Sequence, residues 1–189
     1  MTPHNFPLPS KMLRLLECSP NAQIAFKLAK IGLRVFPCHS GGLNKKKVKT
    51  PLVTNGFHSA TLEIEKLSQW WLKWPDALVG MPTGKVTGFS VLDGDIDKKT
   101  DSKIGEQQIE SLGLAHPQAI KVRTPSDGVH YYFKHLDGVG SSTKKVASHI
   151  DIRGDGGYVI APESILPDGR KYNHENLTLY EAIMDGSLP

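Results

Sequence analysis

The stretch FSVLDGDIDKKT, residues 89–100, sets Asp93, Asp95 and Asp97 at every second position directly behind an apolar run. Alternate side chains of an extended chain share a face, so the three carboxylates point together and repel one another unless a cation sits among them. A hard divalent metal with oxygen ligands answers that need. The pattern is not that of an EF-hand calcium loop, because Gly94 stands in the wrong place and Lys98 and Lys99 follow the acids. Two further groups with chemistry to offer sit on strand-like segments downstream, His130 in TPSDGVHYYF and Asp151 in HIDIRGDGG. Taken alone, His130 reads as a hairpin histidine satisfied by backbone, and Asp151 as a strand-end acid paired with Arg153 on the same face. Asp155 is the rival of Asp151. We favour Asp151 because Ile150 and Ile152 alternate with it, and because a strand holds a ligand more rigidly than a glycine-flanked turn.

These residues need a scaffold, and the chain spells one out. Residues 1–9 are proline-rich, and Ser10 is placed to cap a short helix through Glu17. NAQIAFKLAKIG repeats apolar residues at Ile24, Ala25, Leu28, Ala29 and Ile31, a helical stripe with Asn21 as cap and Gly32 as stop. LRVFPC predicts a strand and HSGGLNKKKVKTP an exposed loop. TLEIEKLSQWWLKWP predicts a helix with Glu63 and Glu65 in its first turn and Pro75 at its end. Its Leu67, Trp70, Trp71 and Trp74 recur at the spacing of a packed face rather than of a base-stacking platform. From residue 78 the pattern turns to strands: LVGM, GFSVLDGDID, AIKVRT, VHYYFKH, HIDIRG and GYVIAP, with helical residues between 103 and 112. PSDG predicts one hairpin turn and GDGG a second, between HIDIR and YVIAP. The glycines of MPTGKVTG predict a tight turn and lack the spacing of a P-loop. The fold class is α+β, a mostly antiparallel sheet carrying the acids and flanked by helices. We divide the chain into an amino-terminal extension over 1–20, one domain over 21–175 and a helical tail over 176–189 that is the start of a linker.

Composition bounds the function. With 189 residues, 39% of them hydrophobic, the chain can bury one substantial core. Lys+Arg 23 against Asp+Glu 19 leaves +4, a mild bias toward polyanionic partners. Cys18 and Cys38 are too few for a disulfide framework or a cysteine-rich zinc site and suit a reducing compartment. No apolar run approaches the roughly 20 residues of a membrane span, and proline interrupts the place of a secretory apolar core. A cytoplasmic protein without membrane attachment is expected. The basic runs NKKKVKT at 44–50 and TKK at 143–145 offer contacts to nucleic-acid phosphates, with a solvated loop as the plainer reading.

Taken in order, LAKIGLRVFPCHSGG, KTPL, HSATLEIEKLSQWW, ALVGMPTGKVTGFSVLDGD, IKVRTPSDGVHYYF and HIDIRGDGGYVIAPESILPDGRKY resemble successive segments of one family. It is the bifunctional primase/polymerase amino-terminal domain of the archaeo-eukaryotic primase superfamily, found in plasmid, phage and mobile-element replication proteins. The resemblance covers roughly residues 22–172. The family's first motif, an apolar run followed by Asp-x-Asp/Glu, falls on Asp93 and Asp95. Its second, a strand histidine after a small-residue turn, falls on His130, and its third, an acid after an apolar strand, on Asp151. The chain departs at Gly94, where the family usually has an apolar residue, which leaves Asp95 with Asp97 as an alternative register. It departs again at Gly128, where many members have Ser.

The resemblance implies template-directed nucleotidyl transfer, as DNA primase and/or DNA polymerase, on single-stranded or primed DNA. Substrates are dNTP and/or NTP, with two Mg²⁺ or Mn²⁺ ions as cofactors and a helicase domain or protein as a further partner. On this reading Asp93 and Asp95 hold the ion pair and Asp151 completes the ion that activates the primer hydroxyl. His130 donates to the β- or γ-phosphate of the incoming nucleotide. Arg153, Lys49 and Arg123 are candidate phosphate clamps, each with a solvated surface charge as its plainer reading. A non-catalytic nucleic-acid-binding module of a replication initiator and a divalent-metal nuclease are the competing functions. Retention of the whole acid–acid–histidine–acid set favours the transferase.

Overall fold

The computed structural model describes residues 19–41 and 47–189. The helix capped by Ser10, Cys18, and Asn44, Lys45 and Lys46 of the first basic run lie outside the described residues. The fold is α+β, with two antiparallel sheets and helices packed against both. Helix α1 (Pro20–Lys30) begins at Ser19, whose hydroxyl accepts the Ala22 N–H at 3.2 Å. Asn21 is therefore not the cap. Proline fits the first helical position because its missing N–H is not needed there, so the helix starts two residues earlier. Asn21 instead turns inward, donating to the Ile165 carbonyl at 2.9 Å and accepting the Ile165 N–H at 2.8 Å.

Strand β1 (Phe36–Cys38), helix α2 (Ile64–Lys73) and strand β2 (Leu78–Pro82) follow. Leu67 and Trp71 of α2 are fully buried and Trp70 and Trp74 pack at the margin, as the helical spacing requires. Burying one tryptophan removes apolar surface worth about 4–6 kcal/mol as an upper figure, and the Trp71 indole N–H also donates to the Ala77 carbonyl at 3.2 Å. Next come β3 (Phe89–Gly94), α3 (Ile104–Ser111), β4 (Ile120–Arg123), β5 (Val129–Lys134), β6 (Ser142–Ala147), β7 (Ile150–Arg153), β8 (Tyr158–Ile160), β9 (Asn173–His174) and α4 (Leu179–Asp185). The smaller sheet runs β1-β2-β8 and the larger β6-β7-β3-β5-β4-β9. Helix α4 carries a Thr178–Glu181 capping box and buries Leu179 and Ala182 in the main core. No helix among the described residues is long and apolar enough to cross a membrane.

The PSDG turn closes the β4–β5 hairpin, with Thr124 N–H donating to the Gly128 carbonyl at 2.9 Å. The GDGG segment makes no hairpin: β7 pairs with β3 and β6, whereas β8 pairs with β2 in the other sheet. Here the chain steps between sheets under close contact, for a Cβ on Gly154 would collide with the Val139 carbonyl and one on Gly157 with the Ser141 hydroxyl. Asp155 fixes the step by donating its N–H to Val139 O at 2.9 Å and accepting the Lys85 N–H on its carboxylate at 2.9 Å. Strands β6 and β9 have no sequence signature. The first is a lysine-bearing, largely exposed edge strand and the second only two residues long.

The larger sheet has two distinct faces. Phe89, Val91, Ile120, Val122 and Tyr132 enter the main core beneath the smaller sheet, while Val129, Tyr131 and Ile150 pack with Ile109 of α3 on the reverse. Arg123 falls on that reverse face. It stands opposite Val129, whereas His130 stands opposite Val122, so the alternation of strands sends Arg123 and His130 to opposite sides. Its guanidinium grips Glu106 at 2.6 and 2.9 Å and Glu175 at 2.7 and 3.2 Å, and Lys121 reaches the same acids at 2.6 and 3.2 Å. These pairs anchor α3 to the sheet and use up the charge expected to clamp phosphate.

Hydrogen bonds from Arg123, opposed by burial and joined by Lys121, hold the Glu106 carboxyl down to about 2. In the unfolded chain that carboxyl takes a proton near its ordinary 4.5. The network therefore contributes fully above that value and loses its contribution as pH falls toward about 2. Urea midpoints measured across this range should fall steeply for the wild type and more shallowly for Glu106→Gln, with the largest gap between the two at neutral pH. Parallel curves would contradict this account.

Candidate active site between the two sheets

The register of the larger sheet places Asp93, on its third strand in spatial order, directly opposite Asp151 of β7 on one side and His130 of β5 on the other. Directly opposed residues of an antiparallel ladder point the same way, with Cβ atoms about 4.5–5.5 Å apart. An acid, an acid and a histidine thus form one row across three adjacent strands, on the face turned toward the smaller sheet. Asp95 follows just past the end of β3 and lines the same cleft. Its backbone is held on both sides, the N–H donating to His149 O at 2.9 Å and the carbonyl accepting from Gly105 at 3.0 Å. A Cβ on Gly105 would lie 2.6 Å from that N, from that O and from the His149 carbonyl, so only glycine admits this approach.

The two departures from the family pattern have local causes. A Cβ on Gly94 would sit 3.0 Å from both Ile109 and Val129, beneath α3, and one on Gly128 would sit 2.8 Å from the Gly94 carbonyl. Asp97 does not share the face of the other two acids. The chain turns there, Asp97 N–H bonds Ser102 O at 2.9 Å, and the exposed carboxylate accepts the Lys99 N–H at 2.8 Å. The acids that meet in the cleft are Asp93 and Asp95.

Arg153 follows Asp151 by two residues and so shares its face. One guanidinium nitrogen lies 2.8 Å from Asp151 Oδ2 and 3.2 Å from Asp93 Oδ2. The other Asp151 oxygen accepts the backbone N–H of Lys144 at 3.1 Å, at the point where β6 departs from regular pairing and Lys144 takes a left-handed φ of 55°. His130 is buried, with Nε2 3.4 Å from Asp93 Oδ1. Burial pushes the Asp93 carboxyl up, but His130, Arg153 and Lys49 together prevail and hold it well below the usual carboxylate range. Asp95 shifts the other way, raised by burial and then by the charges of Asp93 and Asp151. Its carboxylate has no hydrogen-bond or ion-pair partner among the described residues.

The cleft encloses a cavity of about 260 Å³. Its floor is Asp93, Asp95, His130 and Arg153, with Asp151 behind the Arg153 guanidinium, and its walls bring in Lys49, Tyr158 and Tyr172. Lys49 takes a left-handed φ of 70°, its carbonyl accepts the Tyr158 hydroxyl at 3.2 Å, and its ammonium lies 5.7 Å from the centre of the Tyr172 ring. His130 Nδ1 and the Tyr132 and Tyr172 hydroxyls are buried without hydrogen-bond partners among the described residues. Of the residues singled out in the sequence, Asp93, Asp95, Asp151, His130, Arg153 and Lys49 converge here and Arg123 does not. Sequence reading passed over Tyr158, Tyr172 and Gly105. A lone glycine in the first turn of a helix was the available signal for the last, since it costs helix stability unless close approach demands it. The two tyrosines are indistinguishable from core residues without the fold.

An acidic row with an arginine set into it and a lysine in the cleft wall has the charge layout for a divalent cation paired with a polyphosphate. No curated protein shows a significant match to the chain. The family model for bifunctional DNA primase/polymerase, N-terminal, matches residues 25–184, a span that contains both sheets, the whole acidic row and the cleft walls. The chain belongs to that family, Prim-Pol.

Proposed function

We propose that the protein is a template-directed DNA nucleotidyltransferase, a primase and/or polymerase, that works with two Mg²⁺ or Mn²⁺ ions in DNA replication in the cytoplasm. The observation that supports this most is the row Asp151–Asp93–His130 with Asp95 beside it. The donors suit such ions: three carboxylates supply hard oxygens, the Asp95 carboxylate is unpartnered, and positive charge already sits between Asp93 and Asp151. Among the described residues no three acid, histidine or cysteine side chains stand gathered as a finished metal site, so side-chain rotation must bring the carboxylates to a shared ligand. When bound, the ions align the primer hydroxyl with the α-phosphate and neutralise the pyrophosphate leaving group.

Asp93 and Asp95 would hold the ion pair, and Asp151 would complete the ligand set that activates the primer hydroxyl. His130 offers a ring N–H to the β- or γ-phosphate of the incoming dNTP or NTP, and Lys49 and Arg153 add positive charge around the triphosphate. The exposed Lys144 and Lys145 of β6 border the Asp151 side of the site, where they contact the phosphates of single-stranded or primed DNA and read no bases. A helicase supplies the opened template.

Asp93→Ala combined with Asp95→Ala should abolish incorporation of labelled dNTP on a primed template while leaving the circular dichroism spectrum unchanged. Near wild-type extension by the double variant would sink the assignment, and shortening of the primer by the wild type would show a nuclease instead. His130→Ala should raise the apparent KM for dNTP by about 5- to 150-fold, the loss of one hydrogen bond worth about 1–3 kcal/mol to a charged group. Affinity for template should stay as it was, and an unchanged KM would remove His130 from the triphosphate.

A further inference from the structure

We infer that Arg153 is a built-in placeholder cation, whose guanidinium occupies the seat between Asp93 and Asp151 until a divalent ion takes it. The inference rests on the two-ion reading above and concerns what the chain does before the ions arrive. Asp93 and Asp151 face each other across neighbouring strands, and both are largely withdrawn from water. Two carboxylates so placed repel strongly in the reduced dielectric of a cleft. Arg153 answers with a single nitrogen shared between Asp93 Oδ2 and Asp151 Oδ2, at 3.2 and 2.8 Å. These are the oxygens a metal would need.

Three features make the arrangement exchangeable. Arg153 comes from the same strand as Asp151, so it reaches the pair without any backbone movement. Its side chain keeps 31% of its surface exposed and lines the cleft, which leaves it room to swing out. The cleft's other cation, Lys49, touches neither acid and lies over the Tyr172 ring, so its effect on the carboxylates is through space alone. Metal and guanidinium therefore compete for the same two oxygens, and the ion that wins releases Arg153 toward the triphosphate. Arg153 suits this exchange because its flat fork can hold carboxylate or phosphate oxygens equally, which the point charge of lysine does not.

The test is calorimetric titration of MnCl₂ alone into nucleotide-free wild type, Arg153→Gln, Lys49→Gln and Asp93→Asn. Arg153→Gln should bind Mn²⁺ at least about five-fold more tightly than wild type, within the usual span of coupling between sites. Lys49→Gln removes the same charge from the same cleft and should gain less than about two-fold, because it frees no ligand oxygen. At saturating Mn²⁺, Arg153→Gln should bind dATP more weakly than wild type, an opposition of sign that a merely structural role would not produce. Equal or weaker Mn²⁺ binding by Arg153→Gln, or an equal gain by Lys49→Gln, overturns the placeholder while Asp93→Asn, by losing Mn²⁺, still upholds the metal site. Absence of Mn²⁺ binding in both wild type and Arg153→Gln overturns the two readings together. If Arg153→Gln fails to fold, Arg153→Met, which keeps an unbranched stem but brings neither charge nor donor to the two acids, should bind Mn²⁺ more tightly than wild type, and no gain there also overturns the inference.

Discussion

Like charge brought together on one sheet face is the constraint around which this protein is built. Asp93 cannot stand opposite Asp151, with Asp95 two residues away, unless something offsets their repulsion. The fold answers from every side: Arg153 bridges two of the acids, His130 closes on the other oxygen of Asp93, and the backbone of Lys144 donates to Asp151. Asp95 alone receives no such contact, and burial, with the charges of Asp93 and Asp151 added to it, raises the affinity of its carboxyl for a proton. A site left in that condition favours added positive charge, which is what the function proposed for this member of the Prim-Pol family asks of it.

Precision at the row depends on residues that never enter the cleft. Asp95 is held by the close approach of Gly105, and Gly105 opens the helix that Glu106 fastens to the sheet through Arg123 and Lys121. The glycines at 94 and 128 let α3 and the β4–β5 turn close over the end of β3. On the other side the step from β7 to β8 carries the chain straight from the acid of the larger sheet to the Tyr158 wall of the smaller one. Rigid strands with tightly packed reverse faces are what hold a ligand set to within fractions of an ångström.

Much of this was legible in the sequence because strand alternation is a local rule. The period of two behind VLDGDID, and the isoleucines alternating with Asp151, told which way those side chains point as soon as the segments were taken as strands. Asp97 escaped because the strand ends at Gly94 and a turn, not a strand, follows. Arg123 escaped because its side relative to His130 depends on how β4 and β5 are registered, which no single segment encodes. The GDGG segment carries hairpin residues, yet its glycines serve close packing during a change of sheet, and turn chemistry alone does not separate those uses. Asn21 lost the helix start to Ser19 because Pro20 is as good a first residue as any.

The central claim is that the row on adjacent strands, and not the neighbouring turn, is where chemistry happens. Comparing primer extension by Asp151→Asn and Asp155→Asn tests it most directly, since the two acids are four residues apart and face different tasks: one lies in the row beside Asp93, the other pins the turn at Lys85. The account predicts that Asp151→Asn is folded, still binds dNTP and adds no nucleotide, whereas Asp155→Asn extends the primer and is only less stable. An active Asp151→Asn beside a folded but inactive Asp155→Asn would contradict it.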